Sequence, residues 1–322
     1  MKVIYSTQSI PPTITGTAVT IGAFDGLHLG HRALIGEIRS KAQIMGLSCV
    51  VITFDKHPAS IVRPDSAPKL LTSLDSKIRL IESTGVDILY IIKFDEQRAN
   101  QKPREFIVSE LVERLRVKLV VVGSDFHFGK GREGNLELLG EIGRKYGFGL
   151  EALDLIPAGT SNALGVEEQT ESISSTRIRR LISDGNVEAA SALLGRDHQV
   201  EGRVIHGDGI GGSELGCPTA NLQVDANILL PKDGIYCGWA QIEDTTIKPM
   251  VASIGKRPTF HKNQAESLLE VHIIDFDGDI YDQNLRVSFS KWLRGEIKFP
   301  NKELLMGQIR QDIEQARQAL MV

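Results

Sequence analysis

Two histidines three residues apart, His28 and His31, sit in a run whose glycines could bring them against phosphate: Gly22-Ala23-Phe24-Asp25-Gly26-Leu27-His28-Leu29-Gly30-His31. An apolar stretch precedes the run and an amphipathic one follows, so it reads as strand, glycine turn and helix. The open first turn of a helix offers backbone N–H groups to anions. Gly22 and Gly26 let the main chain approach where side chains would obstruct it, with Phe24 and Asp25 between them. His28 and His31 can then both face the pocket. There they can hold the phosphates of a nucleoside triphosphate and stabilise charge on a pentacoordinate α-phosphorus. Taken alone, H-x-G-H also reads as a turn with two surface histidines.

Two further constellations carry the same kind of chemistry. Ser174, Ser175 and Thr176, followed by Arg177 and Arg179, are ordinary N-cap material. They also offer a second helix N-terminus and two guanidinium forks for a triphosphate. Downstream, the run from Gly207 to Gly216, with Gly209, Gly211 and Gly212, is too glycine-rich for a stable strand or helix. It leads into Pro218-Thr219-Ala220-Asn221. In extended chain Thr219 and Asn221 share a face, and their hydroxyl and amide oxygens suit Mg²⁺, which favours oxygen ligands and phosphate partners. The signatures G-K-[ST] and H-R-D are absent, so this is neither a Walker loop nor a protein-kinase loop.

The chain of 322 residues is long enough for two domains with cores of their own. A net charge of -4 gives no basic field for nucleic acid, so anionic ligands need local sites. Cys49, Cys217 and Cys237 lack metal spacing and fit a reducing cytoplasm. No apolar run approaches the roughly 20 residues of a membrane span, and none at the start resembles a signal peptide. A cytoplasmic enzyme without membrane or nucleic-acid partners is expected, with a weak homo-oligomer the furthest assembly anticipated.

Positioning elements follow from periodicity. Ala18 to Phe24, Cys49 to Phe54, Ile88 to Phe94, Lys118 to Val122 and Leu150 to Ile156 read as strands covered on both faces. Leu34, Ile35, Ile38, Ala42 and Met45 form one helical stripe. Pro103 opens another helix, with Phe106, Ile107, Leu111 and Leu115 inward. Alternation of this kind predicts a parallel, doubly wound sheet with ligands beyond the strands' carboxyl ends. After Arg196 the texture changes. His198 to His206, Leu222 to Val224, Ile235 to Ile242, Lys248 to Ile254, Leu268 to Phe276 and Leu285 to Phe289 predict an antiparallel barrel. A final helix starts near Pro300, with Leu304, Leu305, Ile309, Ile313 and Leu320 buried. The boundary is expected near residue 186, within a helical bridge from Ser174 to Leu194.

Order and spacing then become specific. The segments G-A-F-D-G-L-H-L-G-H, Thr53-Phe54-Asp55-Lys56-His57-Pro58, Val121 to Gly129 and I-S-S-T-R-I-R resemble the FMN adenylyltransferase module of prokaryotic bifunctional riboflavin kinase/FAD synthetases. The glycine run with P-T-A-N resembles the riboflavin kinase module of the same enzymes. So do Asp233-Gly234-Ile235-Tyr236, Ser253 to Phe260, Leu269-Glu270-Val271-His272, Asp279-Ile280-Tyr281 and Arg294 to Phe299. The resemblance implies an α/β chain: a Rossmann-like nucleotidyltransferase domain over 1–185, then a kinase β-barrel with a C-terminal helix over 186–322. It implies riboflavin, FMN and ATP as substrates, FAD as product, and Mg²⁺ assistance. It also implies Glu270 as general base toward the riboflavin 5′-hydroxyl, and flavin contacts from His57, Pro58, Asp125, Phe126, Phe128 and Arg294. Phe126 and Phe128 read equally well as core residues, whereas His127 points to the surface.

The chain departs from the family pattern at Lys56, Ile210, Cys217, Ser253 and Asp282. The last four bear on kinase rate and ATP affinity. Two alternatives therefore stand beside the bifunctional enzyme: an FAD synthetase with a weak or inactive kinase barrel, and a flavin-binding regulator. A class I aminoacyl-tRNA synthetase shares an H-x-G-H-like turn, but no anticodon-binding domain is recognisable and the charge offers nothing to tRNA.

Overall fold

The computed structural model describes residues 1–11, 14–154, 172–206, 217–243, 247–256 and 267–322. The chain packs into two compact units, Met1–Ser174 and Ser175–Val322. The helices Ser175–Ser183 and Val187–Leu194 thus pack with the second unit.

The first unit is a six-stranded parallel sheet formed by β1 (Lys2–Tyr5), β2 (Thr17–Ile21), β3 (Ser48–Phe54), β4 (Ile88–Ile92), β5 (Val117–Gly123) and β6 (Gly149–Leu153). Their order is β1-β4-β3-β2-β5-β6. From β2 the chain steps outward through β3 to β4, then returns to place β5 on the other side of β2. The carboxyl ends of β2 and β5 therefore flank a topological switch point, where open α/β sheets bind ligands. Val19, Val50, Tyr90 and Val120 pack one layer of core, and Ala18, Val51, Leu89 and Val121 the opposite layer. These continuous apolar runs follow from coverage on both faces. The helix Leu29–Met45 buries Leu34, Ile35, Ile38 and Ala42.

In the second unit β7 (His198–Ile205), β8 (Ala220–Val224), β9 (Gly234–Ile242), β10 (Ile247–Lys256), β11 (Ser267–Ile273) and β12 (Asn284–Arg294) close an antiparallel barrel. Their order is β10-β11-β8-β7-β12-β9. Two register shifts in β12 bend it around the barrel. Gly238 admits this approach: a Cβ there would sit 1.9 Å from Ser288 O. The helix Lys302–Leu320 follows the last strand.

Several boundaries differ from those read off the sequence. The strand β2 stops at Ile21, because Phe24, Gly26 and Leu27 take positive φ of 48°, 81° and 38° and turn the chain. The structure adds an edge strand β1, whose apolar core is only Val3-Ile4, and the helix Leu74–Glu82. The strand β8 begins within P-T-A-N, and β12 runs on to Arg294. The C-terminal helix buries Asp312 and Ala316, whereas Leu304 is exposed. A buried ion pair, described below, replaces part of the expected apolar stripe.

Candidate functional site

The turn after β2 is held by a carboxylate. Asp25 is buried and accepts hydrogen bonds from Leu71 N (3.0 and 3.1 Å to its two oxygens), Thr72 N (3.1 Å) and Thr72 Oγ1 (3.1 Å). Gly26 N donates to the same Thr72 hydroxyl at 3.1 Å. Asp25 thus pins a turn with two non-glycine residues at positive φ, a conformation that persists only where its surroundings enforce it. Asp25, read from the sequence as a nucleotide contact, is here engaged by the backbone and hydroxyl that precede the helix Leu74–Glu82. Gly22 is explained by packing: a Cβ there would lie 3.1 Å from the buried Phe24 ring.

His28 caps the helix, its Nδ1 accepting from His31 N at 3.3 Å. The two imidazoles stack with centroids 3.6 Å apart, and the Phe24 ring meets His31 edge-on at 5.2 Å. Burial, then the neighbouring His28 imidazole and the charge of Lys77, hold the His31 imidazole well below the ordinary histidine value. His31 is therefore neutral at pH 7. Its Nδ1 is buried with no hydrogen-bond partner among the described residues. An orphaned buried polar atom at a helix N-terminus, beside a sheet's switch point, is what a bound phosphate would satisfy. The carbonyl of Ile173 lies 3.9 Å from where a Gly30 Cβ would be, so the chain entering the S-S-T-R-I-R segment runs beside this helix start. Ser174 closes the first unit, while Ser175, Thr176, Arg177 and Arg179 open the second, with Arg177 buried.

After β3, His57 caps the short helix Pro58–Val62, its Nδ1 accepting from Ala59 N at 3.1 Å. After β5, across the switch point, Asp125 is exposed. Phe126 and Phe128 are half-buried, stack at 5.3 Å and pack against the core cluster. His127 is exposed as expected. Sequence reasoning missed Lys77, a buried lysine whose Nζ donates to Phe54 O at 3.3 Å. A lysine on the buried face of an amphipathic helix was the available signal.

In the barrel, register does the assembling. Asn221 on β8 pairs with Glu270 on β11, which pairs with Ser253 on β10. Cross-strand partners point to one face, so the amide, carboxylate and hydroxyl form a row. Thr219 directly precedes β8, and His272 Nδ1 lies 2.9 Å from Pro218 O, tying that segment to β11. A cavity of about 270 Å³ borders Thr219, Ala220, Val271, Asp277, Asp279 and Tyr281. Tyr281 stacks on His206 at 3.9 Å. Gly207, Gly209, Ile210, Gly211 and Gly212 lie outside the described residues. Arg294 is engaged elsewhere: it binds the buried carboxylate of Asp312 through Nε (2.9 Å) and NH2 (2.6 Å), anchoring the C-terminal helix to β12.

A larger cavity, about 430 Å³, adjoins Ile10, Ser109, Arg114 and Arg116 at the amino end of β5, away from the strand ends that carry the histidines. Arg114 and Arg116 there donate to Gln8 O and Ile14 O. Nor do the three free cysteines supply a nucleophile. Burial pushes Cys49 up to about 12 and Cys237 to about 11, and raises Cys217 as well. Among the described residues no three His, Cys, Asp or Glu side chains cluster as a metal site.

Comparisons with known proteins match both units. The FAD synthetase family profile matches residues 10–177, and that of riboflavin kinase residues 194–320. A bifunctional riboflavin kinase/FMN adenylyltransferase from Buchnera aphidicola is 36% identical over 97% of this chain and 96% of its own. Those from Escherichia coli K12 and Listeria monocytogenes are also 36% identical, covering 94% and 98% of this chain and 92% and 98% of theirs. A crystal structure from Streptococcus pneumoniae, titled a macrolide-efflux protein, superposes with a TM-score of 0.82 at 30% identity, over 98% of this chain and 99% of that one. Among the described residues no helix is long and apolar enough to cross a membrane. From its two family matches and its full-length relatives, the chain belongs to the bifunctional riboflavin kinase/FMN adenylyltransferase family.

Proposed function

We propose that the chain makes FAD from riboflavin in two steps, phosphorylation in the barrel (186–322) and adenylylation in the parallel-sheet domain (1–185). The observation that supports this best is two chemically different residue sets in two separately packed units. A hydroxyl, amide and carboxylate set occupies the barrel, and a stacked histidine pair lies at the sheet's switch point.

In the first step Glu270 takes the proton of the riboflavin 5′-hydroxyl as its oxygen attacks the γ-phosphorus of ATP, and the β–γ bridging bond breaks to release ADP. Thr219 and Asn221 would hold Mg²⁺; two oxygen donors suit an ion that takes its remaining ligands from phosphate and water. When bound, Mg²⁺ neutralises charge on the transferring phosphoryl group. Backbone at Gly207, Gly209, Gly211 and Gly212 would bind the ATP phosphates.

In the second step an FMN phosphate oxygen attacks the α-phosphorus of a second ATP, and pyrophosphate leaves. His28 and the neutral His31 donate to the α-phosphate oxygens. Ser174, which closes the first unit, serves the departing phosphates. His57, Pro58, Asp125, Phe126 and Phe128 bound the flavin, while Gly22, Phe24, Asp25 and Gly26 shape the turn. Arg294 enters as the anchor of the C-terminal helix rather than as a direct flavin ligand. The reading places the enzyme in the cytoplasm, where ATP is abundant and thiols stay reduced.

A second reading, an FAD synthetase with a slow kinase, rests on Ser253 standing beside Glu270 where the family often has asparagine. Incubating the chain with riboflavin, ATP and Mg²⁺, and separating the flavins, decides between them. FMN followed by FAD supports the two-step enzyme. FAD from supplied FMN alone supports the slow kinase, and no FAD from either rejects both.

A further inference from the structure

Lys77 stands in a place that neither reaction explains. It is 7% exposed on the helix Leu74–Glu82, although lysine is almost never buried unless paired. Phe54 O, at 3.3 Å, is its hydrogen-bond acceptor among the described residues, while an ammonium carries three donors. For stability alone, such a poorly satisfied buried ammonium is worse than an apolar side chain of the same length. Violations of this kind concentrate at functional sites.

Its position is specific. Phe54 ends β3 and leads into Asp55-Lys56-His57-Pro58, so the bond fixes the carbonyl at which that loop departs. Just before the helix, Leu71 and Thr72 hold Asp25. Residues 71–77 thus grip both turns that flank the histidine pair, one through Asp25 and the other through Lys77. The charged and titratable groups acting on Lys77 and His31 are Asp25 in the turn after β2, Asp55 in the loop after β3, and His28 at the helix start. Burial lowers the Lys77 pKa, opposed by the two carboxylates. The lysine charge also reaches His31, adding to the burial and the neighbouring His28 imidazole that depress it.

We propose that Lys77 is a positioning residue of the adenylyl-transfer site: it fixes the end of β3 from the segment that also holds the turn after β2, and sets a buried positive charge near the His28–His31 pair. A positive charge near the pair favours the ATP phosphates that the pair would bind, and it helps keep His31 a neutral donor. The proposal rests on assigning adenylyl transfer to that pair.

The test uses the full-length chain with FMN, ATP and Mg²⁺. Lys77→Met should lower kcat for FAD formation on the order of 100-fold, the scale of a small misplacement at a reacting centre. Riboflavin phosphorylation by the same sample should persist. The acid limb of the pH profile should move upward, because removing a neighbouring positive charge makes His31 easier to protonate. Folded Lys77→Met with FAD formation within about threefold of wild type and an unmoved limb would overturn the proposal. If Lys77→Met does not fold, Lys77→Gln, which keeps a donor for Phe54 O, and Lys77→Arg, which also keeps the charge, decide. At least about tenfold more activity in the arginine variant supports the proposal; equal activities overturn it. His31→Ala is assayed alongside: if it still makes FAD, the site assignment has failed rather than the role of Lys77.

Discussion

Replacing Asp25 with alanine strands the donors that its carboxylate now satisfies: Leu71 N, Thr72 N and the Thr72 hydroxyl, at 3.0–3.1 Å in a buried site. A hydrogen bond to a charged acceptor contributes about 1.5–3 kcal/mol, and a stranded buried donor costs about 1–3 kcal/mol. Three such donors, partly relieved by entering water, give an expected loss of about 4 kcal/mol for the first unit. The effect reaches chemistry, because Phe24 and Leu27 hold positive φ only while the turn is pinned. Released, the turn no longer presents His28 and His31 together, and FAD formation should fall on the order of 100-fold. Asp25→Asn is the control. An amide oxygen in the Oδ1 position keeps one bond to each donor, so the loss should be only about 1–2 kcal/mol. Both tryptophans, Trp239 and Trp292, lie in the second unit. Urea unfolding is therefore followed by far-UV circular dichroism, with amide exchange of peptides covering 22–31 and 71–77. Alanine and asparagine variants of equal stability, or an alanine variant that makes FAD at the wild-type rate, would refute the pinning argument.

Four further outcomes can be measured. Glu270→Gln should lower FMN formation by about 10²–10⁴-fold in a riboflavin kinase assay, leaving FAD formation from supplied FMN intact. Asn221→Ala should raise the Mg²⁺ concentration needed for half-maximal phosphorylation, read from a metal titration at saturating ATP. Because the folded pKa of His31 is depressed, its contribution to stability is full above the unfolded value near 6.5 and is lost as pH falls toward the folded pKa; His31→Gln should flatten that acid dependence in urea unfolding at pH 5 and 7. Gly185 has φ of 84°, and a Cβ there would sit 2.0 Å from the Trp292 ring, so Gly185→Ala should destabilise the second unit by more than about 2 kcal/mol, with a changed Trp292 emission.

The local parts of this architecture were legible in the sequence, and the distant ones were not. The H-x-G-H turn declares itself because glycine, strand and helix signals are contiguous, and the barrel follows from alternating strands and turns. Glu270 lies in a strand that the sequence patterns, but Asn221 lies just ahead of the one read there, and their register as neighbours comes from the fold. The features without a local signature depend on partners far along the chain. Asp25 looks like a phosphate-facing residue until Leu71 and Thr72 take its oxygens. Arg294 looks like a flavin ligand until Asp312 binds its guanidinium fork. Leu304 fits an apolar stripe, but the helix buries Asp312 instead, because that carboxylate has a partner on β12. Lys77 is marked locally only as a lysine on the buried face of an amphipathic helix; that its Nζ binds the carbonyl ending β3 depends on the fold.

The central claim is two independent sites joined by a shared intermediate. The most direct test mixes His31→Ala and Glu270→Gln proteins in one tube with riboflavin, ATP and Mg²⁺, after each alone has been shown to make no FAD from riboflavin. The account predicts that FAD formation is restored in the mixture, the first variant supplying FMN and the second adenylylating it. A mixture that stays without FAD, while Glu270→Gln also fails on supplied FMN, would contradict it.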